Sequence, residues 1–196
     1  MNMYLPVSKK TKLLIFDCDG TIANNIDIHI KAWFKVLESK NITLSTENLS
    51  NYHGLPSEVI LKDLCGLSDV EIPAVANELR DETFKLLDDT KPIEPIVDLI
   101  KHYYNKIPMI VISGGKAKNV HRTLEILEID DCFDEIITAD DNHPSKNTTK
   151  AFTLLAEKYG VKSEECLVFE DGLPGLINAL KAGMTVMDMR NVDLSE

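Results

Sequence analysis

The sequence predicts an α/β fold: a doubly wound parallel sheet core carrying a small inserted α-helical domain. Three observations predict it. Strand-like segments at 12–16, 107–112, 135–138, 165–169 and 184–188 are separated, from 91 onward, by helix-patterned segments. That alternation is the pattern of a parallel sheet with helices on both faces. Three of the segments break off in polar, acidic or glycine-containing turns: Asp17-Cys18-Asp19-Gly20-Thr21, Ser113-Gly114-Gly115 and Glu170-Asp171-Gly172. Open α/β sheets bind their ligands outside the carboxyl ends of the strands, which is where such turns fall. The block 24–90 interrupts the alternation with helical patterning and no convincing strand. It reads as an insertion after the first strand. The expected division is a core of 1–23 and 91–196 and a helical unit of 24–90, with hinges near 24–25 and 90–92.

The elements follow in order. The first strand, 12–16, is continuously apolar from Leu13 to Phe16, as a strand covered on both faces must be. A helix over 27–38 places Ile30, Phe34 and Leu37 on one stripe. Helical patterning returns over 58–65 and 71–87. Another helix spans 94–104, entered through Pro92 and Pro95, which a first turn tolerates. The strand at 107–112 leads through Ser113-Gly114-Gly115 into a helix at 117–127. A short strand at 135–138 precedes a helix at 149–159, which Asn147 or Thr148 can cap and Gly160 can stop. The strand at 165–169, a helix at 173–181 ending near Gly183, and a last strand at 184–188 complete the chain.

Composition bounds the function. The chain has 196 residues, 44% of them hydrophobic, enough for one core plus a small lobe. A net charge of −11 disfavours nucleic acid and anionic membrane as partners. It permits a small anionic substrate, because a local metal and lysine can outweigh the global charge. Cys18, Cys65, Cys132 and Cys166 form no C-x-x-C pair, so reduced and mostly buried thiols are expected. Residues 1–10 contain no apolar signal region, and no apolar span reaches about 18 residues. A cytoplasmic monomer is expected.

The chemistry converges on the strand ends. In an extended segment Asp17 and Asp19 project to one side and Cys18 to the other. Two carboxylates so close repel unless a cation or proton intervenes, which suits a hard divalent metal and acid–base work. In a parallel sheet the three turns share one edge. Carboxylates, a hydroxyl and free backbone amides would then meet, as phosphoryl transfer requires. Taken singly, Ser113 is a turn former and Glu170-Asp171 a pair of turn acids. The ordered combination after three strands carries the reading.

On these motifs the sequence resembles the haloacid dehalogenase (HAD) superfamily of phosphohydrolases. Within it, it is similar to the β-phosphoglucomutase-like and sugar-phosphatase branch, whose Rossmann-like core carries a helical cap after the first motif. The resemblance covers nearly the whole chain. It implies that Asp17 is the nucleophile forming an aspartyl-phosphate and Asp19 the general acid and then base. It implies phosphate binding by Ser113, Gly114 and Lys146, with Lys150 a rival for the lysine. Mg²⁺ would be held by Asp17, the Asp19 carbonyl, Asp171 and Glu170. The cap residues facing substrate would be His29, on the first cap helix, and Gly54 and Ser57, in a loop that begins at His53. Asp19 favours phosphate-ester cleavage, because an alkoxide leaving group needs a proton. The implied activity is a Mg²⁺-dependent phosphatase for a small phosphorylated metabolite, a sugar phosphate in the family's pattern; the alternatives are a β-phosphoglucomutase and a non-catalytic metabolite-binding regulator.

The chain departs from the branch in places. Lys146-Asn147-Thr148-Thr149-Lys150 lacks the prolines and acid of the usual K-P-x-P-D, Asn24 stands where an Asp is frequent, and no arginine lies near Ser57 to grip a second phosphate. His29 also has a plainer reading as a part-buried residue beside Trp33. Lys116, Lys118, His121 and Arg122 read as a solvated helix face, Trp33 reads as packing, and the other histidines lack zinc-ligand spacing.

Overall fold

A computed structural model describes residues 7–50, 52 and 54–191; residues 1–6, 51, 53 and 192–196, and with them His53 of the expected substrate loop, lie outside the described residues. In chain order the elements are β1 (Leu13–Phe16), β2 (Ala23–Asn24), α1 (Ile26–Ser39), α2 (Thr46–Ser50), α3 (Ser57–Asp63), α4 (Ile72–Leu86), β3 (Lys91–Pro92), α5 (Glu94–Tyr103), β4 (Met109–Ile112), α6 (Ala117–Ile126), β5 (Glu135–Ile137), α7 (Thr149–Lys158), β6 (Cys166–Glu170), α8 (Leu173–Lys181) and β7 (Thr185–Asp188).

Five strands form one parallel sheet in the order β5-β4-β1-β6-β7. The period of two along each strand divides the core. Leu14, Phe16, Met109, Val111, Leu167 and Phe169 face α5 and α6. Leu13, Ile15, Ile110, Ile112, Cys166 and Val168 face α7 and Ala179 of α8. Phe16 stacks on Phe169 with ring centroids 4.7 Å apart, which locks β1 to β6 just below the carboxyl edge. The same alternation continues into the acids. Asp17 follows Ile15 and Glu170 follows Val168, so both emerge on the α7/α8 side, while Cys18 enters the opposite core.

Between β2 and β3 the chain builds a separate apolar cluster from α1, α3 and α4. It contains Val36, Leu37, Leu61, Ile72, Val75, Ala76 and Leu79, with Trp33 packed against it, the packing role expected for Trp33. All four cysteines are free. Among the described residues no helix is long and apolar enough to cross a membrane.

The structure departs from the sequence reading at four places. The two expected hinges are joined: β2 and β3 pair antiparallel, Ala23 opposite Pro92 and Asn24 opposite Lys91. Strands of two residues show no periodicity, so the pattern could not reveal this ribbon. Inside the stretch 41–90, which reads as wholly helical, α2 is a separate short helix that no segment of the pattern singled out. Glu170 is the last residue of β6, paired with Asp188, instead of a turn residue. The basic face of α6 is not simply solvated. Lys118 Nζ lies 4.0 Å from the Phe84 ring centroid and 3.7 Å from Asp81, and Arg122 donates to Asp88 at 2.7 Å. α4 supplies Asp81 to Lys118 and the turn after it Asp88 to Arg122, while Lys116 pairs with Asp140 beyond β5.

Candidate active site

The carboxyl edge of β1 and β6 assembles the first group of residues. The Asp17 N–H donates to the Phe169 carbonyl at 2.9 Å, which carries the sheet ladder one residue past β1. Asp17, Glu170 and Asp171 each offer a carboxylate oxygen within 4.8 Å of the others, and all three are buried. Lys146 enters from the loop before α7. Its Nζ donates to Asp17 Oδ1 and lies 3.0 Å from Glu170 Oε2. Lys150, the rival, is exposed on α7.

Two glycines make room for this cluster. Gly20 has φ +81°, and a Cβ there would fall 2.0 Å from Asp171 Oδ2. Only glycine fits both the left-handed backbone and the carboxylate. Glu170 accepts the Gly172 N–H at 2.8 Å and rests where a Cβ on Gly175 would sit, 2.1 Å from its Oε2. Thr21 Oγ1 donates to Asp171 Oδ1 at 3.5 Å.

Three buried carboxylates face one lysine, and the electrostatics follow from that imbalance. Burial, and then the Glu170 charge, push the Asp17 carboxyl well above the ordinary carboxylate range, against the pull of Lys146. Burial would lower the Lys146 pKa, but Asp17 and Glu170 outweigh it and hold the ammonium charged. The donor set is hard, oxygen-only and in negative excess, so it fits a divalent cation of the Mg²⁺ kind.

Asp19 stands apart from the trio. Its Oδ1 accepts from Asn25 Nδ2 at 2.5 Å and lies 3.3 Å from His29 Nε2. Burial raises the Asp19 carboxyl, but the His29 imidazole and the Asn25 amide prevail and hold it down to about 2. Burial depresses His29, and the Asp19 charge more than reverses that, so its pKa is raised. Asp19 is not one of the three carboxylates that gather within 4.8 Å of one another.

The Ser113 N–H donates to the Ile137 carbonyl at 2.9 Å, and its Oγ accepts the Gly115 N–H at 3.0 Å. A Cβ on Gly115 would lie 3.7 Å from Asp19 Oδ2, so this turn borders Asp19. Gly114 has open space on its Cβ side. Of the expected cap residues, His29 reaches the site. Gly54 comes to its edge: with φ +82°, a Cβ there would meet the Gly172 Cα at 2.9 Å. Ser57 is not brought to the carboxylates; its hydroxyl donates to Glu58 at 3.2 Å. Sequence reading missed Asn25, Thr21 as a partner of Asp171, and Gly175. Thr21 belongs to the Asp-Gly-Thr motif and so carried a signal; the other two carried none.

A model of the haloacid dehalogenase-like hydrolase family matches residues 14–189. The chain belongs to that family. It is 32% identical over 180 residues to the fructose-1-phosphate phosphatase YqaB of Escherichia coli K12, covering 90% of this chain and 95% of that protein. A solved hydrolase from Pseudomonas syringae superimposes with a TM-score of 0.81 at 22% identity, covering 93% of this chain and 87% of that one. A β-phosphoglucomutase from Clostridium difficile superimposes at 0.74 with 25% identity, covering 91% and 84%. The five-stranded parallel sheet flanked by helices is the fold of these neighbours.

Proposed function

We propose that this protein is a Mg²⁺-dependent phosphatase that hydrolyses the phosphomonoester of a small metabolite, a sugar phosphate, through an aspartyl-phosphate on Asp17. The observation that carries the reading is the buried cluster of Asp17, Glu170, Asp171 and Lys146, with the Asp19–His29 pair beside it. Kinship to YqaB, named for fructose 1-phosphate, supports the sugar-phosphate class.

Asp17 Oδ attacks phosphorus and the ester oxygen leaves. Asp17, Asp171, Glu170 and the Asp19 carbonyl would hold Mg²⁺, which when bound supplies positive charge against the phosphate dianion. Lys146 offsets the repulsion between that dianion and Asp17. Ser113 and the following amides orient phosphate oxygens. Asp19, held ionised, relays a proton from His29 to the leaving oxygen and then takes one from the water that attacks the aspartyl-phosphate. His29, against Asp19 Oδ1, is the group placed to exchange that proton with it. Residues 24–90 act as a cap on a core of 1–23 and 91–196; their separate apolar cluster and the meeting of Gly54 with Gly172 support this.

The test is turnover of p-nitrophenyl phosphate with Mg²⁺, with EDTA, and by Asp17→Asn. Loss of turnover in both controls is expected, and activity surviving in Asp17→Asn removes the covalent route. A screen of phosphorylated metabolites by phosphate release then names the substrate. Supplying β-glucose 1-phosphate with a bisphosphate primer and looking for glucose 6-phosphate tests the mutase alternative.

A further inference from the structure

The sequence places no arginine near Ser57, but the fold delivers one from α4. Arg80 gives its guanidinium to Glu58, the residue after Ser57, and a further N–H to Asn77 Oδ1 at 2.7 Å. The Arg80 carbonyl accepts from Asn119 Nδ2 of α6 at 3.0 Å. Arg80 therefore stands where the helical unit meets α6, just beyond the Ser113–Gly115 turn. Glu58 stands four residues past Gly54, where the helical unit meets Gly172. These two contacts bracket the carboxylate cluster along the strand edge, and the Arg80–Glu58 pair spans the helical side between them. On the sheet side, Lys116 follows Gly115 and donates to Asp140 at 2.6 Å. Both partners of the Arg80–Glu58 pair keep solvent access, with side chains 25% and 46% exposed.

Resting on the phosphatase reading, we propose that Arg80 and Glu58 form a specificity-determining pair that accepts the hydroxyls of a neutral polyol leaving group and rejects a second phosphate. A free guanidinium is a strong bidentate phosphate binder. Here its charge is matched by Glu58, and Lys116 is matched by Asp140. A second phosphate dianion would have to displace a carboxylate or lie beside one, a repulsive element of the kind that sets specificity. A hydroxyl both donates and accepts, so it can bond the carboxylate and the guanidinium together. The substrate class is then a polyol monophosphate, with bisphosphates excluded.

The experiment compares kcat/KM for fructose 1-phosphate and fructose 1,6-bisphosphate in the wild type, Glu58→Gln and Arg80→Gln. The wild type is expected to favour the monophosphate. Glu58→Gln removes the repelling charge and should move the ratio at least tenfold toward the bisphosphate. Arg80→Gln should raise KM for fructose 1-phosphate at least tenfold with a smaller change in kcat. A ratio that stays within twofold in Glu58→Gln overturns the proposal. Calorimetric binding of both sugars to Asp17→Asn, with and without Glu58→Gln, reads the same selectivity without turnover. A failure of the phosphatase reading would appear separately, as wild-type protein inert toward p-nitrophenyl phosphate.

Discussion

Adding one methyl group at Gly175 sets two opposing effects against each other. Gly175 lies in the first turn of α8, and helix propensity alone makes alanine there more stable by up to about 1 kcal/mol. The new Cβ would fall 2.1 Å from Glu170 Oε2, 2.5 Å from its Cδ and 2.9 Å from its Cγ. Ordinary contact needs about 3.5–4 Å, so the carboxylate must retreat by more than about 1 Å. Retreat breaks the 2.8 Å bond from the Gly172 N–H and loosens the 3.0 Å contact with Lys146. Hydrogen bonds to charged groups are worth about 1.5–3 kcal/mol each. Losing one and weakening another outweighs the propensity gain, leaving Gly175→Ala less stable by about 2 kcal/mol. For a chain of this size that lowers Tm by roughly 4–8 °C. Calorimetric melting in EDTA measures it. Glu170→Asp shortens the side chain and should relieve the clash, so the double variant should melt above the sum of the single losses by about 1 kcal/mol. A Gly175→Ala protein that melts at or above the wild-type temperature refutes the reasoning, because propensity would then have won.

Other consequences can be measured with the same assays. Lys146→Met leaves Asp17 and Glu170 without their counter-charge. It should cost about 3–5 kcal/mol in EDTA and lower p-nitrophenyl phosphate turnover by at least about 100-fold; near-wild-type melting would deny the ion pair its role. Gly20→Ala adds left-handed strain of about 1–2 kcal/mol to a 2.0 Å clash with Asp171 Oδ2. It should raise the Mg²⁺ concentration needed for half-maximal turnover, and an unchanged Mg²⁺ titration would separate Asp171 from the metal. The Asp19–His29 pair predicts a pH window in metal-free protein. Asp19, held down to about 2, contributes stability above about pH 4 that is lost as pH falls toward 2. His29, with a raised pKa, contributes stability below about pH 6.5 that is lost as pH rises through its folded value. The Tm difference between the wild type and His29→Asn should therefore be greatest between about pH 4 and 6.5. A difference flat from pH 3 to 9 would dissolve the pair.

The sheet and its acid-bearing edge were written locally in the chain. β1 and β4 are unbroken apolar runs and β6 is one up to Phe169, and these three break off at the residues that line the cleft, so Asp17, Asp19, Ser113 and Asp171 could be read from their positions after strands. Family motifs carried the reading on to Lys146 and His29. Which of Lys146 and Lys150 meets Asp17 was left to the path of the loop before α7, since Lys146 lies in that loop and Lys150 in the first turn of the helix. The β2–β3 ribbon, Asn25 on Asp19, the acids opposite the α6 basic face, and Arg80 on a Glu58 22 residues earlier were likewise invisible. Periodicity records which face of an element is buried. Which side chains then meet across that face depends on how separate helices and loops are oriented against one another, and that is decided only when the whole chain packs.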